Sequence, residues 1–336
     1  MRIENHRSRT GRCMKGDRSG KSYLTTIVCN LAGAFAVTLL LAACGTPRDF
    51  TIYQQTVGEF QTATDRTAAV ALDYVQSINS FERDYELKQL REDSNRPLDM
   101  TKLADPILSP KAISARNQTF GVLKQYTQML AALADNDASD RWKAASERAK
   151  ASADDLLANL SRDDNTLGKL PIADLTSPLK TISDAIATEI INAKRSAALD
   201  SAIEKAAPAI QEISAKLRED LAFVIRQRDS VKQLEIAQLT IDYAQAQQAG
   251  DNSRRTKLLT SIDQALKARE EGLSTLQGLL QTLDRFDAAH DGLVRYAKSD
   301  KGPQDLSDLV AIVQSYAATA EEVFDSIKKI SEAASK

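Results

Sequence analysis

The sequence predicts an all-α protein, an elongated antiparallel helical bundle with coiled-coil-like seams. Aromatic residues make up 5% of the chain and only 13 of its 336 residues are glycine, which is typical of helix-rich, bundle-like proteins. Apolar residues recur at alternating steps of three and four, the period of helices packed along their length. Ser/Thr-Pro pairs at 46–47, 109–110 and 177–178 are typical helix starts.

The breaks between these patterns predict six helices, at 47–92, 110–135, 139–160, 178–249, 253–299 and 304–334. Pro208 lies inside the fourth segment and no capping residue precedes it. Because an interior proline lacks the amide hydrogen and bends a helix, we expect a kink there rather than a new helix. The chain shows no repeat at a fixed period of about 34–47 residues, so a helical solenoid is disfavoured.

The bundle prediction rests on three seams, which are rows of mostly apolar residues along one face of a helix. Their members recur at steps of three and four, and the aromatic ones are expected in the core rather than in a ligand groove. The first helix has Phe50, Tyr53, Val57, Phe60, Thr64, Thr67, Ala71, Tyr74, Ile78, Phe81 and Tyr85. The fifth has Leu259, Ile262, Leu266, Arg269, Leu273, Leu276, Leu280 and Leu283. The last has Leu306, Leu309, Val313, Tyr316, Ala320, Val323, Ile327 and Ile330.

The N-terminal residues form a targeting segment. Seven Lys or Arg residues precede an apolar run from Leu24 to Leu41, which leads into Leu41-Ala42-Ala43-Cys44-Gly45. A charged region, an apolar region and small residues before a cleavage site are typical of a secretory signal. The pattern ending at Cys44 resembles the lipobox of bacterial lipoproteins.

That resemblance implies that residues 1–43 are a cleaved signal peptide and that 44–336 are a lipid-anchored helical domain. It implies a diacylglyceryl thioether on Cys44, with the acyl chains as the membrane anchor. Gly45 in place of Asp favours the periplasmic face of the outer membrane. An uncleaved membrane helix is the alternative for the apolar run, and Met14 is an alternative start.

Composition limits the chemistry of the remaining chain. Without residues 1–43 the net charge is −7 and there is no basic block, which argues against nucleic-acid binding. Cys13 and Cys29 lie in the segment expected to be removed, so Cys44 is the one cysteine left. His290 is then the one histidine, which leaves few zinc sites or His-based triads.

Two short segments partly match the sequence motifs of ligand-binding loops. Residues 16–22 resemble a phosphate-binding loop but have three residues between the glycines where that loop has four. Residues 163–174 resemble a calcium loop in part, but Leu167 occupies a ligand position. We expect no cofactor, metal site or catalytic residue. His290, between Asp287 and Asp291, is expected at the surface or at the edge of a seam, where Asp287 could hold the imidazole and raise its pKa. A pH-sensing or catalytic role is the alternative.

The function that follows is a non-enzymatic binding or scaffolding role in the cell envelope. Its partners would be the membrane, through the acyl chains on Cys44, and an unidentified envelope protein, with no nucleic acid. A helical groove or the connectors at 93–109 and 161–177 would form the partner surface. A membrane-active, pore-forming-like helical protein is the alternative, and an enzyme is a third possibility.

Overall fold

The computed structural model describes residues 50–92, 97–100, 103, 106, 108–135, 139–161, 172, 175–192 and 195–334. Helix accounts for 94% of these residues and no strand occurs among them. The described chain therefore confirms the all-α class and the bundle. The described residues from Phe50 to Ala334 belong to one compact unit.

Seven helices lie within the described ranges. They are α1 (Phe50–Glu92), α2 (Pro110–Ala134), α3 (Ser139–Ser161), α4 (Thr176–Asn192), α5 (Arg195–Gln248), α6 (Asn252–Lys298) and α7 (Pro303–Ala334). The sequence predicted six, because it joined α4 and α5 into one helix kinked at Pro208. The structure has two helices there, and Pro208 lies within α5. The proline is exposed, as is Glu204 one turn earlier, so water can bond the carbonyl that loses its partner.

The helix starts follow local capping chemistry. Ser109 caps α2, since its hydroxyl accepts a hydrogen bond from the amide of Ala112 at 3.1 Å. Asp251 caps α6 in the same way, through the amide of Arg254 at 2.9 Å. The predicted cap at Ser177 is wrong, because α4 begins one residue earlier at Thr176. The predicted start at 46–47 lies outside the described residues.

Two rings of helices share one pair. Helices α1, α2, α5, α6 and α7 form the first ring, in which each packs on the next and α7 packs back on α1. Within this ring α1 contacts all four other members. Helices α2, α3, α4 and α5 form the second ring. The α2–α5 pair is therefore the wall between the two rings, whose buried apolar residues form one continuous cluster.

Aromatic rings fill the centre of the first ring. Phe60 of α1 stacks on Phe286 of α6 with centroids 5.4 Å apart. Tyr316 of α7 lies 5.8 Å from Phe60, and its hydroxyl is 3.0 Å from that of Thr67. Burying rings of this size supplies much of the stabilisation of such a core. The first and last helices thus meet at the same cluster.

The hairpin of α5 and α6 extends past this core. Buried members of the core cluster end at Val224 in α5 and resume at Leu276 in α6. We call residues 230–248 of α5 and 252–270 of α6 the arm; its turn contains Gly250, whose φ of 68° suits glycine. Leu239, Ala246 and Ala265 are buried in the arm outside the core cluster.

Candidate functional site

The outer face of the arm carries an exposed apolar stripe. Leu234 is 61% and Ile241 is 52% exposed, and Ala237 and Ala244 are exposed with them. Their spacing of three, four and three places them along one face of α5, about 140–160° around the helix from buried Leu239. This stripe therefore points away from α6 and resembles a seam that lacks a partner helix.

The neighbours of the stripe are uncharged. Ser230 and Gln248 continue it at either end, and both are exposed. Gln233, Gln238, Thr240 and Gln245 flank it. Uncharged polar side chains lose less on desolvation than ionised ones. The face is thus an apolar strip with a neutral polar rim.

The charges of the arm are paired elsewhere. Arg269 of α6 donates two hydrogen bonds to Asp229 of α5, at 2.6 and 3.0 Å, and the first of these lowers the pKa of Asp229. Lys232 donates to Glu235 at 2.8 Å, and Glu235 is buried. These pairs place charge at the side of α5 that faces α6, away from the stripe.

The base of the arm is packed around Arg228. Its guanidinium lies over the ring of Tyr74, 5.3 Å from the centroid. A Cβ atom at Gly272 would lie 2.9 Å from Arg228 Cζ, so the glycine provides the space that this side chain occupies. A small cleft beside these residues has a volume of about 10 Å³, enough for one water molecule. We interpret this cleft as a small packing gap between α5 and α6.

The seam predicted for α6 is wrong within the arm. Leu259 and Leu266 are 52% and 46% exposed, whereas Ala265 is buried. A helix with one partner buries a single stripe, so side chains at its edge stay in water. Leu276 and Leu283, where α6 joins the ring, are buried as predicted.

The expectation that His290 lies at the surface or at a seam edge is also wrong. The side chain is 1% exposed, and its Nε2 lies 2.9 Å from the hydroxyl of Tyr126. The rings of Phe60 and Phe286 each lie 6.3 Å from the imidazole. Burial lowers the pKa of His290 to about 4, and the charge of Asp291 opposes this only in part.

Asp287 does not orient His290. Its carboxylate lies 2.5 Å from Arg218 of α5, which also bonds Asp284 at 2.9 Å. Burial raises the pKa of Asp287, and its contacts with Ser214 and Arg218 oppose that rise. Arg218 draws the carboxylate towards α5 because an ion pair favours both charged forms.

A buried ion pair joins α2 and α5, the two helices that form the wall between the rings. Arg116 of α2 donates to both oxygens of Asp220 of α5, at 2.6 and 2.7 Å, and also donates to the carbonyl of Ala112 at 3.0 Å. The two side chains are 0% and 1% exposed. Sequence reasoning missed this pair, since Arg116 and Asp220 lie 104 residues apart. The geometry indicates a structural contact.

Several predicted features lie outside the described residues: Cys44, the loop-like segment 16–22, and residues 163–170 and 174 of the calcium-like segment. In the connectors expected to form polar partner surfaces, Leu108, Ile172 and Leu175 are buried, whereas Leu98 and Met100 are each 63% exposed. Trp142 of α3 is partly buried against the core.

Within the described ranges, no group of His, Cys, Asp and Glu side chains has the arrangement of a metal site. In the same ranges no helix is long and apolar enough to cross a membrane. Comparison with protein-family models, curated proteins and solved structures finds no match to this chain.

Proposed function

We propose that the chain is a lipid-anchored envelope protein with a non-enzymatic binding or scaffolding role. In this proposal Cys44 carries the acyl chains and holds the protein at the periplasmic face of the outer membrane. The helical domain, residues 44–336, then presents a docking surface to an envelope protein. The outer stripe of the arm is that surface.

The observation that carries this proposal is the exposure of Leu234 and Ile241, 61% and 52%, on one helical face. A helix places apolar residues at seam spacing where another helix covers them, and apolar surface rimmed by polar groups is typical of a binding site. The paired charges of the arm leave this face free of ionic desolvation cost. These properties suit a surface that binds a helix.

The test compares two double variants of the full chain in isolated envelopes. Leu234→Gln with Ile241→Gln removes the apolar stripe, and Leu259→Gln with Leu266→Gln is the matched control on α6. All four leucine and isoleucine side chains are about half exposed, so both variants should keep the helicity and unfolding midpoint of the parent.

We expect the parent and the control to migrate in a complex larger than the monomer after mild detergent extraction, and the stripe variant to migrate as a monomer. Circular dichroism of each extract checks the fold. Equal migration of all three proteins would contradict a binding role for the arm.

A further inference from the structure

We propose that the partner of the stripe is the same stripe on a second copy of this chain, docked antiparallel about a two-fold axis. This inference rests on the proposed binding role and names the occupant of that surface. The axis would pass beside residue 239, midway along the stripe. The two α5 helices would then pack against each other, and each α6 would lie on the side of its α5 away from the interface.

Size complementarity supports this register. An antiparallel two-fold places Leu234 opposite Ala244 of the partner subunit and Ile241 opposite Ala237 of the partner subunit. Each large side chain therefore meets a small one, which is how close-packed helices interdigitate. Ser230 would face Gln248 of the partner subunit, so the polar ends of the stripe also meet.

A parallel docking lacks this complementarity. It would place Leu234 against its own copy and Ala237 against its own copy. The leucines would hold the helices apart and leave a gap between the alanines, which loses van der Waals contact. An isologous interface, in which residue i meets j and j meets i, is the common geometry of homodimers.

The neutral rim is compatible with an identical partner. Where two copies of one surface meet, a rim without charges cannot bring like charges together. The rim here is neutral: Gln233 would lie near Gln245 of the partner subunit, and Gln238 near Thr240 of the partner subunit. Asp229 and Glu235 are each bonded to a cation within the arm. Asp242 accepts a hydrogen bond from Gln238 of the rim, and exposed Arg226 lies one turn before Ser230 on the same face.

The area predicts a weak contact. The stripe from 230 to 248 is roughly 27 Å long, and a single helix face of that length covers well under the ~800 Å² per partner of a stable interface. We therefore expect a weak dimer that forms at high local concentration. Anchoring of both copies to one membrane would raise their effective concentration.

The test uses cysteine pairs in the full chain, with the natural cysteines retained and the parent chain as background. Leu234→Cys and Ala244→Cys are expressed as single variants with different tags, alone and together, in the same cells. Under an oxidant, the antiparallel register brings position 234 near position 244 of the other copy, within the reach of a disulfide.

The expected result is a cross-linked dimer carrying both tags in the co-expressed pair. Each single variant alone should give no dimer above background, since positions 234 in the two copies lie roughly 15 Å apart along the axis. Lys257→Cys, exposed on α6 near the turn, reports random collision in the membrane.

Two results would overturn the proposal. Dimers from each single variant but not from the pair would indicate parallel docking. Dimers no more abundant than with Lys257→Cys would exclude a second copy as the occupant. The complex seen after mild detergent extraction could still disappear with Leu234→Gln and Ile241→Gln. The binding role of the stripe would then stand with a different partner. Failure of the dimer proposal is therefore distinguishable from failure of the binding role.

Discussion

Replacing His290 by glutamine should remove a pH dependence of folding stability. The parent histidine is buried against Tyr126, Phe60 and Phe286, with one ring nitrogen, Nδ1, lacking a hydrogen-bond partner. Protonation would place a charge among these rings and add a second donor to satisfy. The unfolded chain protonates the same imidazole in water, near its ordinary pKa of 6.5.

The sign and size follow from the two pKa values. The folded-state pKa of about 4 lies below 6.5, so the unfolded state binds the proton first as the pH falls. The free energy of unfolding is at its full value above pH 6.5 and decreases towards pH 4. Between pH 7 and pH 5 these values correspond to a loss of about 2 kcal/mol.

Urea unfolding at pH 7 and pH 5, followed by circular dichroism, measures this loss. Other groups titrate in the same interval, so the quantity to compare is the change for the parent minus the change for His290→Gln. Tyr126→Phe is the control, because it removes the hydroxyl that meets Nε2 and keeps the buried imidazole. It should be less stable at both pH values and retain the pH dependence. Equal pH dependence in the parent and His290→Gln would refute the reasoning.

Three further predictions concern the wall, the core and the anchor. Asp220→Ala leaves the buried Arg116 without its carboxylate and should cost about 3–5 kcal/mol of unfolding free energy, whereas Asp220→Leu with Arg116→Met should recover most of it; a double variant as unstable as the single one would contradict a structural role. Leu276→Asp places a charge in the core and should lower the unfolding midpoint sharply, while Leu259→Asp on the exposed arm should shift stability by under about 0.5 kcal/mol; similar midpoints would contradict the assigned burial. Cys44→Ser removes the thiol that would accept the lipid, so fatty-acid labelling should vanish; undiminished labelling would disprove the lipobox.

Much of the core was predictable because the seam period matches the packing. In α1 the seam residues from Tyr53 to Tyr74 are buried, and in α7 those from Leu306 to Val323 are buried. Both helices pack along these stretches against more than one neighbour, so a stripe at steps of three and four meets apolar surface throughout. Where α6 has only α5 beside it, the same period left Leu259 and Leu266 exposed. A seam predicts a helix face but not the number of partners.

His290 shows why its neighbours in sequence misled the prediction. Asp287 and Asp291 suggested a solvated site, yet Leu283, Phe286, His290 and Leu293 continue the α6 seam at steps of three, four and three. Extending that seam past Leu283 would have placed the imidazole in the core. Its partner Tyr126 lies 164 residues earlier, and such pairings depend on helix order, which a single sequence does not give.

The bond between Thr67 and Tyr316 spans 249 residues of sequence, and it has a consequence for biosynthesis. The chain is made from its N-terminus, so α1 emerges long before α6 and α7 exist to cover it. Until α6 is made, the described helices that can shield the face of α1 carrying Phe60 and Thr67 are α2 and later α5. The aromatic centre can therefore form only after α6 and α7 have both been made, because Phe286 and Tyr316 complete it around Phe60.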